Sequence, residues 1–208
     1  MDLSKQSHDQ MLPAHEFTKE FAAKYPYAAI KNLFATMVEL RVIKSEAEVE
    51  IMSKAIAVTN EGIKNMMDHS HGDIWENELE AHFDFVLKCN QCDHAFPTII
   101  GSGKNGTVLH YGENNQVAKD GSLVLCDLGA AYKNYSADIT RTFPVNGKFT
   151  ERQKQIYNIV LEANEMVIAA VKPGLTLRGL NAMVVEFYEK KLAEIGLLEN
   201  GKKVSDYY

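Results

Sequence analysis

A chain of 208 residues, 46% apolar and 24% charged, has the length and composition of one globular domain with a core to bury. Its net charge of −6 excludes the electrostatic footprint of a nucleic-acid or anionic-membrane binder. Cys89, Cys92 and Cys126 are too few for a disulfide framework. With no leader-like start and no apolar run of about 18 residues, a reduced, cytoplasmic protein is expected.

Taken in order, residues 14–24 read as a short amphipathic helix stopped by Tyr25-Pro26, and residues 27–43 as a strand followed by a short helix. Ser45 and Glu48 form a capping box for a long helix whose expected inward face is Val49, Met52, Ile56, Thr59, Ile63 and Met66. Asp73 is the expected cap of the next helix, with Trp75, Leu79, Phe83 and Val86 inward. Both stripes are core rather than cofactor pocket, and His69, His71 and His82 read as surface residues. Cys89 and Cys92 form a lone Cys-x-x-Cys without the second pair that a zinc site needs.

Residues 95–111 read as a strand, a glycine-rich turn and a second strand closed by His110. Gly101, Gly103 and Gly106 spell a nucleotide-like spacing, but no helix opens after it, so that reading fails. A lone strand histidine is, on its own, more often structural than functional. Later, Thr150 and Gln153 box the start of a helix with Ile156, Val160, Ala163, Val167 and Ala170 inward. A further helix from about Thr176 should bury Leu177, Leu180, Val184, Phe187 and Leu192, ahead of a tail entering a strand. Two helices, two strand pairs, two helices and a strand start have the rhythm of a repeated unit. Hairpins without βαβ alternation make the class α+β with an antiparallel sheet and flanking helices.

The hairpin from Leu123 to Val145 carries the chemistry. Each arm holds one carboxylate, Asp127 and Asp138, where strands disfavour Asp because it packs poorly and desolvates at a cost. A fold about the midpoint of Tyr132 and Lys133 would set the two directly opposite on one face, their Cβ atoms roughly 4.5–5.5 Å apart. Like charges so close call for a shared proton or a cation between them. A hard-ligand site for two metal ions is the leading reading, because paired ions in hydrolytic sites lie about 3.5–4 Å apart. The alternative is a different register with one or both carboxylates facing solvent.

The runs Phe96-Pro97-Thr98-Ile99, Thr107 to Tyr111, Leu123 to Gly129 and Tyr135 to Pro144 strongly resemble the Xaa-Pro aminopeptidases, the aminopeptidase P branch of the pita-bread metallopeptidases. Glu39 to Ser45 and Gln153 to Leu161 resemble the same branch. The resemblance implies an incomplete pita-bread fold, with residues 1–44 a remnant of an N-terminal domain and linker and 45–208 the first part of the catalytic domain. It implies that Asp127 and Asp138 are metal ligands, the second bridging two divalent ions, usually manganese. It also implies that His110 faces the peptide, which reverses the reading of that histidine as structural. The implied substrate is a peptide with proline in second position.

The chain departs from the family pattern in lacking the later His motif and two Glu that complete the ligand set. The expectation is a fragment that binds metal weakly, has no peptidase activity alone and self-associates through its exposed sheet edge and helix faces. The alternatives are an Xaa-Pro dipeptidase or a non-catalytic pita-bread module that binds peptides or proteins.

Overall fold

The computed structural model describes residues 13–199 and 201–206. Helix α1 (Pro13–Lys24) and helix α2 (Phe34–Val42) bury no residue, and the strand expected ahead of α2 does not form. Helix α3 (Glu46–His69) opens on the expected capping box, with the Ser45 amide donating to Glu48 at 2.7 Å. Its buried face is Ala55, Val58, Thr59, Gly62, Ile63 and Met66, while Val49 and Ile56 stay exposed. The rotation from the expected stripe centres on Gly62, where a Cβ would stand 2.4 Å from the Phe83 ring. The bare backbone there lets the two helices close.

Strand β1 (Ile74–Trp75) then precedes helix α4 (Glu76–Cys89). Asp73 does not cap α4, because Ile74 and Trp75 are taken into a ladder with Val117 and Ala118 and the helix begins after them. Leu79, Phe83 and Val86 are buried as expected, but Trp75 is exposed and Glu76 is buried in its place. Strand β2 (Asp93–His94) and strand β3 (Ile99–Ser102) follow. The strand expected at 107–111 is instead a 3-10 turn, Gly103–Thr107, followed by a bend carrying His110.

Strand β4 (Val117–Ala118) completes the ladder with β1. The central hairpin is bent into four pieces: β5 (Leu123–Leu128), β6 (Ala130–Tyr132), β7 (Tyr135–Ser136) and β8 (Ile139–Pro144). The sheets run β3-β5-β8 and β2-β6-β7, with every ladder antiparallel. Val124, Cys126 and Leu128 of β5 point into a core shared with α3 and α4, around Met66, Leu79, Phe83 and Ile100. By the two-residue period, Leu125 and Asp127 occupy the opposite face.

Helix α5 (Glu151–Ala170) starts on the Thr150 and Gln153 box but buries only Ile159 and Ala163, leaving Val160 exposed. Helix α6 (Leu177–Glu194) buries none of its expected residues, and Leu177 is 85% exposed. Among the described residues it packs mainly against α5 and, less, against the 3-10 turn at Val204–Asp206. The tail forms a 3-10 turn, Val204–Asp206, where a strand was expected. No helix among the described residues is long and apolar enough to cross a membrane. The cysteines are free, with Cys89 exposed and Cys92 and Cys126 buried.

Candidate functional site

The register of the hairpin is fixed by its turn. Lys133 and Asn134 both have positive φ, 48° and 67°, the signature of a two-residue type I′ connection, and Tyr132 pairs with Tyr135 across it. Asp127 therefore faces Thr140, not Asp138. The true turn centre lies one residue beyond the expected one, so each partner shifts by two and the facing side is unchanged. Asp138 lies in the break between β7 and β8, outside every ladder and two residues before the Thr140 that faces Asp127.

Thr140 Oγ1 donates to Asp127 Oδ1 at 2.9 Å, and Asp138 is exposed. Among the described residues, no other side chain bonds to either carboxylate. Both are hard oxygen donors with open lone pairs, so they fit part of a site for a hard divalent cation. The neighbouring Cys126 points away from Asp127, fully buried in the core on the other face of β5. No cluster of three or more His, Cys, Asp and Glu able to hold a metal is gathered among the described residues.

The bend beneath the pair is built from both sides. A Cβ on Gly129 would lie 1.8 Å from the Ala137 carbonyl oxygen, so only glycine permits the close approach of the arms there. The fully buried Thr59 accepts from the Ala130 amide at 2.9 Å and donates to the Ala55 carbonyl at 2.9 Å. Ala95 N–H donates to the Gly129 carbonyl at 2.8 Å, adding the β2 side. At the tip, Tyr135 OH donates to Glu48 at 2.6 Å. That hydroxyl, followed by the Ser45 amide and hydroxyl, holds the Glu48 carboxyl down to about 2.

His110 stands apart from the carboxylates in the chain's hydrogen bonding. It is exposed, has a left-handed backbone with φ 57°, and makes no side-chain hydrogen bond or ion pair among the described residues. A non-glycine residue held there marks a constrained, often functional, position. Side chains on either side of His110, Asn105 and Tyr111, converge on a residue that sequence reading missed. Glu76 is fully buried and accepts from Ser102 N and Oγ, both at 2.7 Å, Asn105 Nδ2 at 3.1 Å, Tyr111 OH at 2.8 Å and Gln116 N at 3.0 Å. Burial alone would raise its pKa. The bonds from Ser102, Tyr111 and Gln116 outweigh burial and hold it below the usual value. In the sequence, Glu76 shows only as an acid in the first turn of a helix, an ordinary dipole partner.

The sequence model of metallopeptidase family M24 matches residues 50–207. The chain belongs to metallopeptidase family M24. An Xaa-Pro aminopeptidase from Escherichia coli is 39% identical over 162 residues, covering 77% of this chain and 37% of its own length. An Xaa-Pro dipeptidase from Pyrococcus furiosus is 32% identical over 178 residues, covering 85% of this chain and 51% of its own. A solved Bacillus anthracis structure, assigned as an aminopeptidase P, matches with a TM-score of 0.87 at 44% identity over 96% of this chain and 48% of that one. The M24 chain thus spans about half or less of the length of these relatives. It shares their pita-bread architecture in part, as the α+β sequence reading expects.

Proposed function

We propose that this M24 chain is the first part of the catalytic domain of an Xaa-Pro aminopeptidase, over 45–208, preceded by a linker and domain remnant over 1–44. Asp127 and Asp138 contribute ligands to two divalent ions, manganese by preference, and His110 faces the peptide. When bound, such ions lower the pKa of a water and polarise the carbonyl before proline. The chain's own residues set the frame for that chemistry. Thr140 fixes one Asp127 oxygen, which leaves the other for a cation, and Asp138 keeps both. His110 offers an uncommitted imidazole to a peptide carbonyl.

The observation that carries this reading is the hairpin, which holds Asp127 off the core face of β5 and Asp138 exposed at the break before β8, with the Thr140 hydroxyl bonded to the first. Two carboxylates supply a minority of the roughly six oxygen ligands that a hard cation takes, so the chain alone binds weakly and turns nothing over. A dipeptidase acting on Xaa-Pro is the second reading, favoured by the similarity to the Pyrococcus furiosus dipeptidase. Free cysteines support a reducing, cytoplasmic setting. The exposed Val160, Ile168 and Leu177 support self-association into a homo-oligomer.

The test is manganese titration by calorimetry on the chain and on Asp138→Ala, with hydrolysis of Xaa-Pro peptides assayed alongside. Weak binding that disappears in the variant, without turnover, is expected. Tight binding of two ions with turnover would overturn the half-site reading, and binding unchanged by the substitution would remove Asp138 from the ligand set.

A further inference from the structure

We propose that Glu76 is the positioning residue for His110, fastening both ends of the loop that carries it to the first turn of α4. The inference rests on the reading of His110 as the peptide-facing group. It deepens that reading by naming what fixes the imidazole.

The loop tip is exposed, with Leu109 at 86%, yet the residues on either side of it are tied down. Asn105 on the upstream side and the buried Tyr111 on the downstream side both donate to the Glu76 carboxylate, and Asn105 Nδ2 also donates to Tyr111 OH at 3.1 Å. Val108 to His110 therefore bridge two anchors on one side chain. Two amides lock the turn between them, Val108 N–H to Asn105 O at 3.0 Å and Tyr111 N–H to Val108 O at 3.3 Å. This closure holds His110 at its positive φ.

One helical turn on, Glu80 repeats the device further downstream. It accepts from Asn114 Nδ2 at 2.9 Å, while Asn114 Oδ1 accepts the Ile100 amide at 2.9 Å. Glu76 and Glu80 lie at i and i+4 on one side of α4, so the helix acts as a rail along which the segment 102–116 is clipped.

Only a carboxylate serves at position 76. Every group aimed at it is a donor, and it accepts on both oxygens. An amide would turn an N–H₂ toward the Ser102 amide in one flip and the Gln116 amide in the other. Glu76→Gln is thus a one-atom change that cuts the bonds to one side of the carboxylate and leaves the volume alone.

The experiment is amide exchange and ¹⁵N relaxation of the 208-residue chain, comparing wild type, Glu76→Gln and Leu79→Ala. Leu79 is fully buried on the same helix and touches none of these bonds, so its variant lowers stability without cutting the fastening. Glu76→Gln should speed exchange at Val108 and Tyr111 by about tenfold or more, as expected for losing a hydrogen bond to a charged group, and lower the order parameter at His110. Leu79→Ala should leave those signals unchanged. A His110 as ordered in Glu76→Gln as in wild type would overturn the proposal, and so would equal loosening in Leu79→Ala.

If Glu76→Gln does not fold, Tyr111→Phe, which deletes one donor only, takes its place with the same readout, and the same two results would overturn the proposal. The outcome is separable from that of the peptidase reading. Titrating wild type with an Xaa-Pro peptide tests whether His110 meets substrate, whatever orders it.

Discussion

Thr59, in the middle of α3, receives the backbone N–H of Ala130 on its hydroxyl at 2.9 Å, a bond between residues 71 apart in the chain. It is the direct tie from the helical layer to the bend that separates Asp127 from Asp138. Replacing it with valine keeps the shape and leaves a buried amide unpaired, at a cost of about 1–3 kcal/mol. Thr59→Val should therefore lower the unfolding free energy by that amount, read as a lower urea midpoint with an unchanged slope. If the hydroxyl also sets the bend, manganese affinity should fall in the same variant. A chain as stable as wild type would show that the tie contributes nothing.

Gly129 makes a sharper claim. An added Cβ would meet the Ala137 carbonyl oxygen at 1.8 Å, a backbone group that cannot rotate away. Gly129→Ala must force the hairpin arms apart, a strain of the kind that places a substitution in the tail above about 4 kcal/mol. The expected outcome is loss of a cooperative thermal transition, or retention of the helices by circular dichroism with abolished metal binding. A variant with wild-type melting would mean that the arms are not in contact there.

What was legible in the sequence was local. The Ser45 and Thr150 boxes join residues three apart, so the letters alone locate the starts of α3 and α5. The antiparallel hairpin and its two exceptional carboxylates were equally visible, because strand alternation is written residue by residue. The register was not, since it depends on Lys133 and Asn134 both taking left-handed backbone. Aligning the carboxylates instead misplaced the turn by one residue. Helix faces failed where packing decides them: α3 turns to put Gly62 under Phe83, and α6 buries nothing despite its apolar stripe. Glu76 was invisible for the same reason, its partners lying 26 to 40 positions away.

Tyr135 OH and Glu48 link the hairpin tip to the capping box of α3 at 2.6 Å. The phenol is the first cause of the Glu48 carboxyl falling from the ordinary 4.5 to about 2. A carboxyl lowered on folding contributes stability that is present above its unfolded value and lost as pH falls through the folded value, here between 4.5 and about 2. Tyr135→Phe should move the Glu48 titration part of the way back toward 4.5, followed by NMR of the carboxyl carbon, with the Ser45 bonds keeping the rest. An unmoved midpoint would show that the capping box alone sets it.

His69 and His82 stack with ring centroids 4.2 Å apart where α3 and α4 meet. Burial first, then the charges of His69 and His71, lower the His82 pKa, while Glu78 pulls it upward. The folded chain thus binds a proton at His82 less readily than the unfolded chain does. The stabilisation is complete above the unfolded value of about 6.5 and is lost as pH falls through the folded one. Mild acid should loosen the α3–α4 contact before carboxylates protonate. Removing one ring tests the cause, since His69→Asn takes away the charge but not the burial. The His82 midpoint, read from its ring protons, should rise part of the way toward the ordinary value, and the stability loss on moving from pH 7 to pH 5.5 should shrink with it. An unchanged midpoint would assign the whole shift to burial, and the acid sensitivity of this corner would then persist in the variant.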